Sequence, residues 1–186
     1  MKRSLVGALI IILISGCGHS HTALDQALQL RETILAASAI SFCADITADY
    51  GDEIYTFQME CSEKALGKMD FTITSPETIA GITGTVSQNQ PAFTFDDKVL
   101  AFPPLVDSQV TPVIAPYVLL QTLRGGYISA CSREGDGYCI YLNDSYREDQ
   151  LYVQVYTNMD FIPIHAEIVY HDQRILSLDI SKFLVL

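Results

Sequence analysis

The chain has 186 residues, with 11 Lys and Arg against 22 Asp and Glu, a formal charge of −11, and 49% apolar residues. That length suits one domain, and an apolar content this high with only 18% charged residues excludes a disordered chain. The acidic balance excludes a phosphate-gripping face for nucleic acid and a polybasic stripe for anionic lipid headgroups.

Residues 1–17 read MKRSLVGALIIILISGC. Lys2 and Arg3 form a short positive region, and Leu5 to Ile14 are uncharged and mostly apolar. A helix of that length rises about 15 Å, half of the ~30 Å hydrocarbon core, so the segment has the anatomy of an export signal and not of a transmembrane anchor. Ile14-Ser15-Gly16-Cys17 resembles the lipobox of bacterial lipoproteins. That resemblance implies a signal peptide over 1–16, a Cys17 carrying palmitate-type acyl chains, and a tether over 17–21. Several chains on one residue anchor stably where one does not. The plainer reading is a secretory signal with an incidental Cys. Cleavage before Cys17 leaves 170 residues with nine basic against 22 acidic groups, a charge of −13. His19 and His21 sit on the tether, where a solvated linker explains them better than a metal site.

The remaining residues, 22–186, read as a single domain. Thr22 is placed to cap a helix beginning at Ala23 and ending near Ser38 to Ile40. Leu24, Ala27, Leu28 and Leu35 form one apolar stripe on it, the side that an amphipathic helix turns to a core. Alternation then predicts strands over 42–50, 54–63, 68–74, 78–87, 92–95 and 98–102. Pro112 and Pro116 introduce a second helix over 110–123, closed by Arg124-Gly125-Gly126. Strands resume over 127–132, 138–143, 151–157, 164–171 and 174–181. The expected fold is α+β and mostly antiparallel, with about eleven strands and two helices.

Once Cys17 is assigned to lipid, four cysteines remain for an oxidising compartment. Folding about Gly135 sets Cys131 opposite Cys139, Ala130 opposite Ile140 and Ile128 opposite Leu142, which predicts a disulfide. Folding about Asp52 sets Cys43 opposite Cys61 and predicts a second. That register mixes polar with apolar faces, so it needs a bulge or is wrong. None of these cysteines has metal-ligand spacing, and no metal or cofactor is expected.

The chain has no GxSxG, HExxH, Walker or GxGxxG motif, and no enzymatic activity is expected. His165, Glu167 and His171 share a polar strand face that solvation explains, and Asp136 between two glycines reads as a hairpin turn. The loop Asp144–Asp149 reads as acidic surface. The strands carry more apolar face than two helices can cover, so they either pack a core or leave an apolar concavity. The residues expected to line such a cavity are Tyr55, Phe57, Met59, Phe71, Phe93 and Phe95.

Element order, the segment TSPETIAGITGTV at 74–86 and the segment AEIVYHDQRILSLDISKF at 166–183 resemble the LolA/LolB-type lipoprotein-carrier superfamily. The nearer likeness is to its lipoprotein members in spore formers, including germination lipoproteins. The resemblance implies a curved half-barrel whose concave face is covered by helices, binding acyl chains, lipids or lipoproteins. It also implies an Arg inside the cavity; no motif marks one here, and Arg31 on the first helix is the candidate. The alternative is a non-catalytic partner that regulates an envelope or cell-wall enzyme. Either way the protein is expected on the outer leaflet of the cell membrane, or on an outer membrane where the cell has two.

Overall fold

Thr22 starts the first helix, α1 (Ala23–Ala36), with a reciprocal cap. Its hydroxyl accepts from the Asp25 N–H at 3.2 Å, and the Asp25 carboxylate accepts from the Thr22 N–H at 2.9 Å. The computed structural model describes residues 22–65, 67–87, 92–95, 98–101, 105–106, 109–143 and 151–186, with the backbone alone between 92 and 110. The signal, Cys17, His19, His21, the Asp144–Asp149 loop and the side chains of Phe93 and Phe95 lie outside the described residues.

The strands are β1 (Ile40–Asp49), β2 (Ile54–Ala65), β3 (Lys68–Ser75), β4 (Thr83–Ser87), β5 (Ala92–Phe95), β6 (Lys98–Ala101), β7 (Leu105–Val106) and β8 (Gln109–Val110), then β9 (Tyr127–Glu134), β10 (Gly137–Asn143), β11 (Tyr152–Asn158), β12 (Pro163–Tyr170) and β13 (Gln173–Val185). The nine strands with described side chains lie in the order β4-β3-β2-β1-β13-β12-β11-β10-β9, every neighbour antiparallel. Backbone pairing of β5 and β6 continues the ladder beyond β4, while β7 and β8, which the pattern does not predict, pair apart. The expected count of about eleven therefore meets nine strands with described side chains. Among the described residues the sheet is open and carries two α-helices, consistent with a curved half-barrel.

One face of this sheet is apolar row by row. Ile140, Val155, Ala166, Leu178, Ile46 and Phe57 stand opposite one another across β10, β11, β12, β13, β1 and β2. All six are buried. A 3-10 turn at Pro112–Ile114 leads into the second helix, α2 (Ala115–Gly125), whose Leu119, Leu120 and Leu123 bury in the same core.

Three expectations are corrected here. On α1 the buried residues are Ala27 and Ile34, whereas Leu24, Leu28 and Leu35 stand 46%, 43% and 49% exposed. Arg31 fixes that rotation, donating from Nε to the Leu123 carbonyl at 2.8 Å and from Nη2 to the Gly126 carbonyl at 2.6 Å. Next, the strand expected over 78–87 begins only at Thr83, because residues 76–81 turn with Gly81 at φ +89°. Last, β13 runs to Val185, past the expected end at Ser181. A bulge at Lys182, φ +52°, lets Phe183 regain the inner face and pack on Phe42 at 5.6 Å.

Both cysteine registers also differ from expectation, and Cys43, Cys61, Cys131 and Cys139 are free thiols. β1 and β2 pair one residue away from the symmetric fold, with Phe42 opposite Cys61 and Cys43 opposite Glu60. The shift puts Phe42, Ala44 and Ile46 against Cys61, Met59 and Phe57, so burial of apolar faces sets the register. In β9–β10, Cys139 faces Ser132 and Cys131 faces Ile140 across a two-residue turn at Gly135-Asp136. A bulge further along restores Ile128 opposite Leu142, as expected.

Candidate functional site

A cleft of about 450 Å³ opens between α1 and the edge of the covered sheet face. Its apolar walls are Leu30 of α1, Phe161, Ile162 and Pro163 at the β11–β12 connection, and Phe183 and Val185 of β13. Gln26, Gln29, Thr33 and Asp160 form its polar rim. The cleft is thus lined by apolar side chains and polar groups in comparable measure.

Asn158 builds one wall. Its Oδ1 accepts from the Asp160 and Ile162 N–H groups, each at 3.0 Å, and its backbone N–H donates to the Ile162 carbonyl at 3.0 Å. This tight turn holds Phe161 at φ +57°, a left-handed conformation rare for a bulky residue. The ring thereby stacks on Tyr138 with centroids 4.3 Å apart and presents itself to the cleft. The signal for this wall was present in the Asn158-Met159-Asp160 turn followed by Phe-Ile-Pro.

Of the residues expected to line a cavity, Phe71 borders a groove of about 610 Å³ across the sheet. Phe57, Met59 and Phe71 are 9%, 1% and 3% exposed and belong to the packed core. Tyr55 stands at the open end of β2, half exposed, where its hydroxyl donates to Glu53 and its ring lies near Tyr50. The side chains of Phe93 and Phe95 lie outside the described residues.

Two arginines tie the helices down. Arg31 caps the carbonyl end of α2 from α1, and partial burial lowers the pKa of its guanidinium. Arg124, near that same end of α2, reaches the sheet and donates to both carboxylate oxygens of Glu63 at 2.8 and 2.9 Å. The Tyr117 hydroxyl is buried beside this pair, and burial first, then the Glu63 charge, raises its pKa. Arg31 is thus a positioning residue between helices, and among the described residues Arg124 is the arginine with a buried side chain.

The other sheet face is polar. Cys139, Tyr156, His165 and Asp179 form one row there, with His165 Nδ1 2.7 Å from Asp179 and its Nε2 3.7 Å from Glu167. Arg174 holds Glu167 at 2.9 Å, and His171 sits in the β12–β13 turn, not on the strand. Burial pushes the Cys139 thiol up to about 11 and drives the Cys61 thiol higher still. A groove of about 610 Å³ crosses β13, β1, β2, β3 and β4, with Ser41, Cys43, Glu60, Asp70, Thr72 and Lys182 among its walls. Phe42, Cys61, Phe71 and Leu184 also border it, so hydroxyls, carboxylates and an ammonium mix there with apolar groups. Among the described residues no group of three or more His, Cys, Asp or Glu is placed to hold a metal ion. None of the described helices is long and apolar enough to cross a membrane.

No family model and no curated protein matches the chain. Among solved structures it is similar to a LolA superfamily protein of Nitrosomonas europaea, with 13% identity, 89% of this chain and 94% of that chain covered, and a TM-score of 0.47. A DUF1329 family protein of Desulfovibrio piger shows 9% identity over 88% of this chain and 91% of that chain, with a TM-score of 0.48. The lipoprotein LppX of Mycobacterium tuberculosis shows 11% identity over 87% and 92%, with a TM-score of 0.43.

Proposed function

We propose that the protein is an exported lipoprotein, tethered by acylated Cys17 after removal of residues 1–16, whose domain over 22–186 holds the acyl chain of a lipid or lipoprotein beneath α1. The observation that carries this reading is the cleft of about 450 Å³ walled by Leu30, Phe161, Ile162, Pro163, Phe183 and Val185. Its volume falls in the range of small-ligand sites, roughly 300–1,000 Å³. Each methylene buried there contributes about 0.8 kcal/mol. Burial alone supplies the affinity, so the reading is of a binding protein that holds and releases its ligand without covalent chemistry.

Native mass spectrometry of the full lipoprotein tests it, with added hexadecanoic acid as the probe. The expected result is a bound fatty-acid or phospholipid mass beyond that of the anchor. Thr33→Trp, which fills the mouth of the cleft, is expected to cut occupancy about tenfold. Equal occupancy in both proteins, or no bound lipid in either, overturns the reading. An empty domain that instead co-purifies with a cell-wall hydrolase points to the regulatory alternative.

A further inference from the structure

The exposed leucines of α1 have no place in the cleft. Leu24, Leu28 and Leu35 recur at steps of four and seven residues, which gathers them within about 40° of arc along roughly 16 Å of helix. Large apolar side chains standing nearly half exposed in a row are the kind of patch that marks a contact surface. The rotation that exposes them is held in place. Arg31 is bonded inward to the Leu123 and Gly126 carbonyls, and Ala27 and Ile34 are buried against the core.

We propose that this leucine stripe rests on the bilayer surface, with α1 lying along the membrane interface beside the lipid anchor. The proposal rests on the anchored reading above. From Cys17 to Thr22 the chain has five residue steps, which span at most about 17 Å even fully extended. The start of α1 therefore stays within that distance of the acylated sulfur. Tethering at such range gives the stripe a high effective concentration at the interface, so a contact too weak to recruit a free domain suffices. The surface recognised is the apolar margin of the bilayer, not its charge. Asp25 and Glu32 flank the stripe, the one neighbouring cation, Arg31, is committed to backbone carbonyls, and the chain as a whole is acidic.

The chain contains no Trp, so a single introduced indole reports its own surroundings. Full-length lipoprotein carrying Leu28→Trp is reconstituted into phosphatidylcholine vesicles with brominated acyl chains. It is compared with Ile54→Trp at the start of β2, opposite Asp49 at the far end of β1, where Ile54 is 64% exposed. The expected result is a blue-shifted emission at position 28, quenched at least twofold more than at position 54, and no stronger when phosphatidylglycerol is added. Vesicle flotation reads the anchor separately. Protein that fails to float overturns both the anchor and the contact; protein that floats with equal quenching at 28 and 54 overturns the contact alone. A blue shift without bromine quenching means that protein covers the stripe, a second copy or another partner, and also overturns it.

Discussion

Arg124 on α2 and Glu63 on β2 form a buried ion pair in which one guanidinium nitrogen donates to both carboxylate oxygens, with 8% and 2% of the side chains exposed. Glu63 also accepts from the Gly67 N–H at 2.5 Å, so one carboxylate joins the β2–β3 turn to the helix that covers the sheet.

Removing one partner strands a charge away from water. Arg124→Met is expected to lower stability by about 3–5 kcal/mol, and Glu63→Gln/Arg124→Met to recover most of that loss. The amide oxygen of Gln keeps the Gly67 contact while removing the charge. Urea unfolding of the two variants is the check. A single variant as stable as the parent would show that the pair does not hold α2.

The thiols give a second expectation. Denatured without reductant, the protein should take one iodoacetamide label at each of Cys43, Cys61, Cys131 and Cys139; fewer labels would reveal a bridge. In the native state at pH 8, Cys43 and Cys131 should react ahead of the buried Cys61 and Cys139. Cys139 is held protonated by burial, with its pKa raised from 9.0 to about 11. Its contribution to stability is therefore complete below pH 9 and fades as pH rises through about 11. Thermal melts between pH 8 and 11 should fall less steeply for Cys139→Ala than for the parent.

Asn158 offers a third test. Asn158→Ala takes the acceptor from two exposed N–H groups in the turn and is expected to cost about 0.5–1.5 kcal/mol. Asn158→Asp keeps the acceptor and should stay near the parent. If the turn shapes the cleft, Asn158→Ala also lowers hexadecanoate occupancy in the native mass spectrum.

Two glycines of one hairpin should part company. A Cβ on Gly137 would collide with the Thr157 carbonyl, so Gly137→Ala is expected to cost about 3 kcal/mol or more. A Cβ on Gly135 meets nothing within 4 Å, and there only the φ of +56° opposes it, at about 1–2 kcal/mol. Equal midpoints in denaturant for the two variants would contradict the β10–β11 register.

The strand-rich architecture was legible because alternation reports which side of a strand is buried, as in Phe42, Ala44, Ile46 and Ala48. Register was less so. Proximity of Cys43 and Cys61 to a common turn pointed one way and the apolar faces another, and the faces prevailed because burial acts on every residue of the pair. Helix rotation was not legible either. A leucine stripe and an Ala/Ile stripe both fit α1, and the choice is made by Arg31, whose partners lie 92 and 95 residues away. The cleft escaped for a similar reason. Phe161 and Phe183 reach it through a left-handed residue and a bulge, which break the period that makes strands readable.

The pairing of β1 with β13 has a consequence for how the molecule assembles. The middle of the sheet joins the first strand of the domain to its last, and the final residue is fastened there as well: Leu186 accepts from the Ser38 N–H at 2.7 Å and donates to the Ala39 carbonyl at 2.9 Å. The central ladder thus has to wait for nearly the whole chain, and closing so long a loop makes folding slow compared with a local meander. The export proposed above, in which the chain crosses a membrane unfolded, gains from that delay. A chain cut short after Asp172 would lose the centre of its sheet, leaving β1 and β12 as open edges ready to pair with other copies.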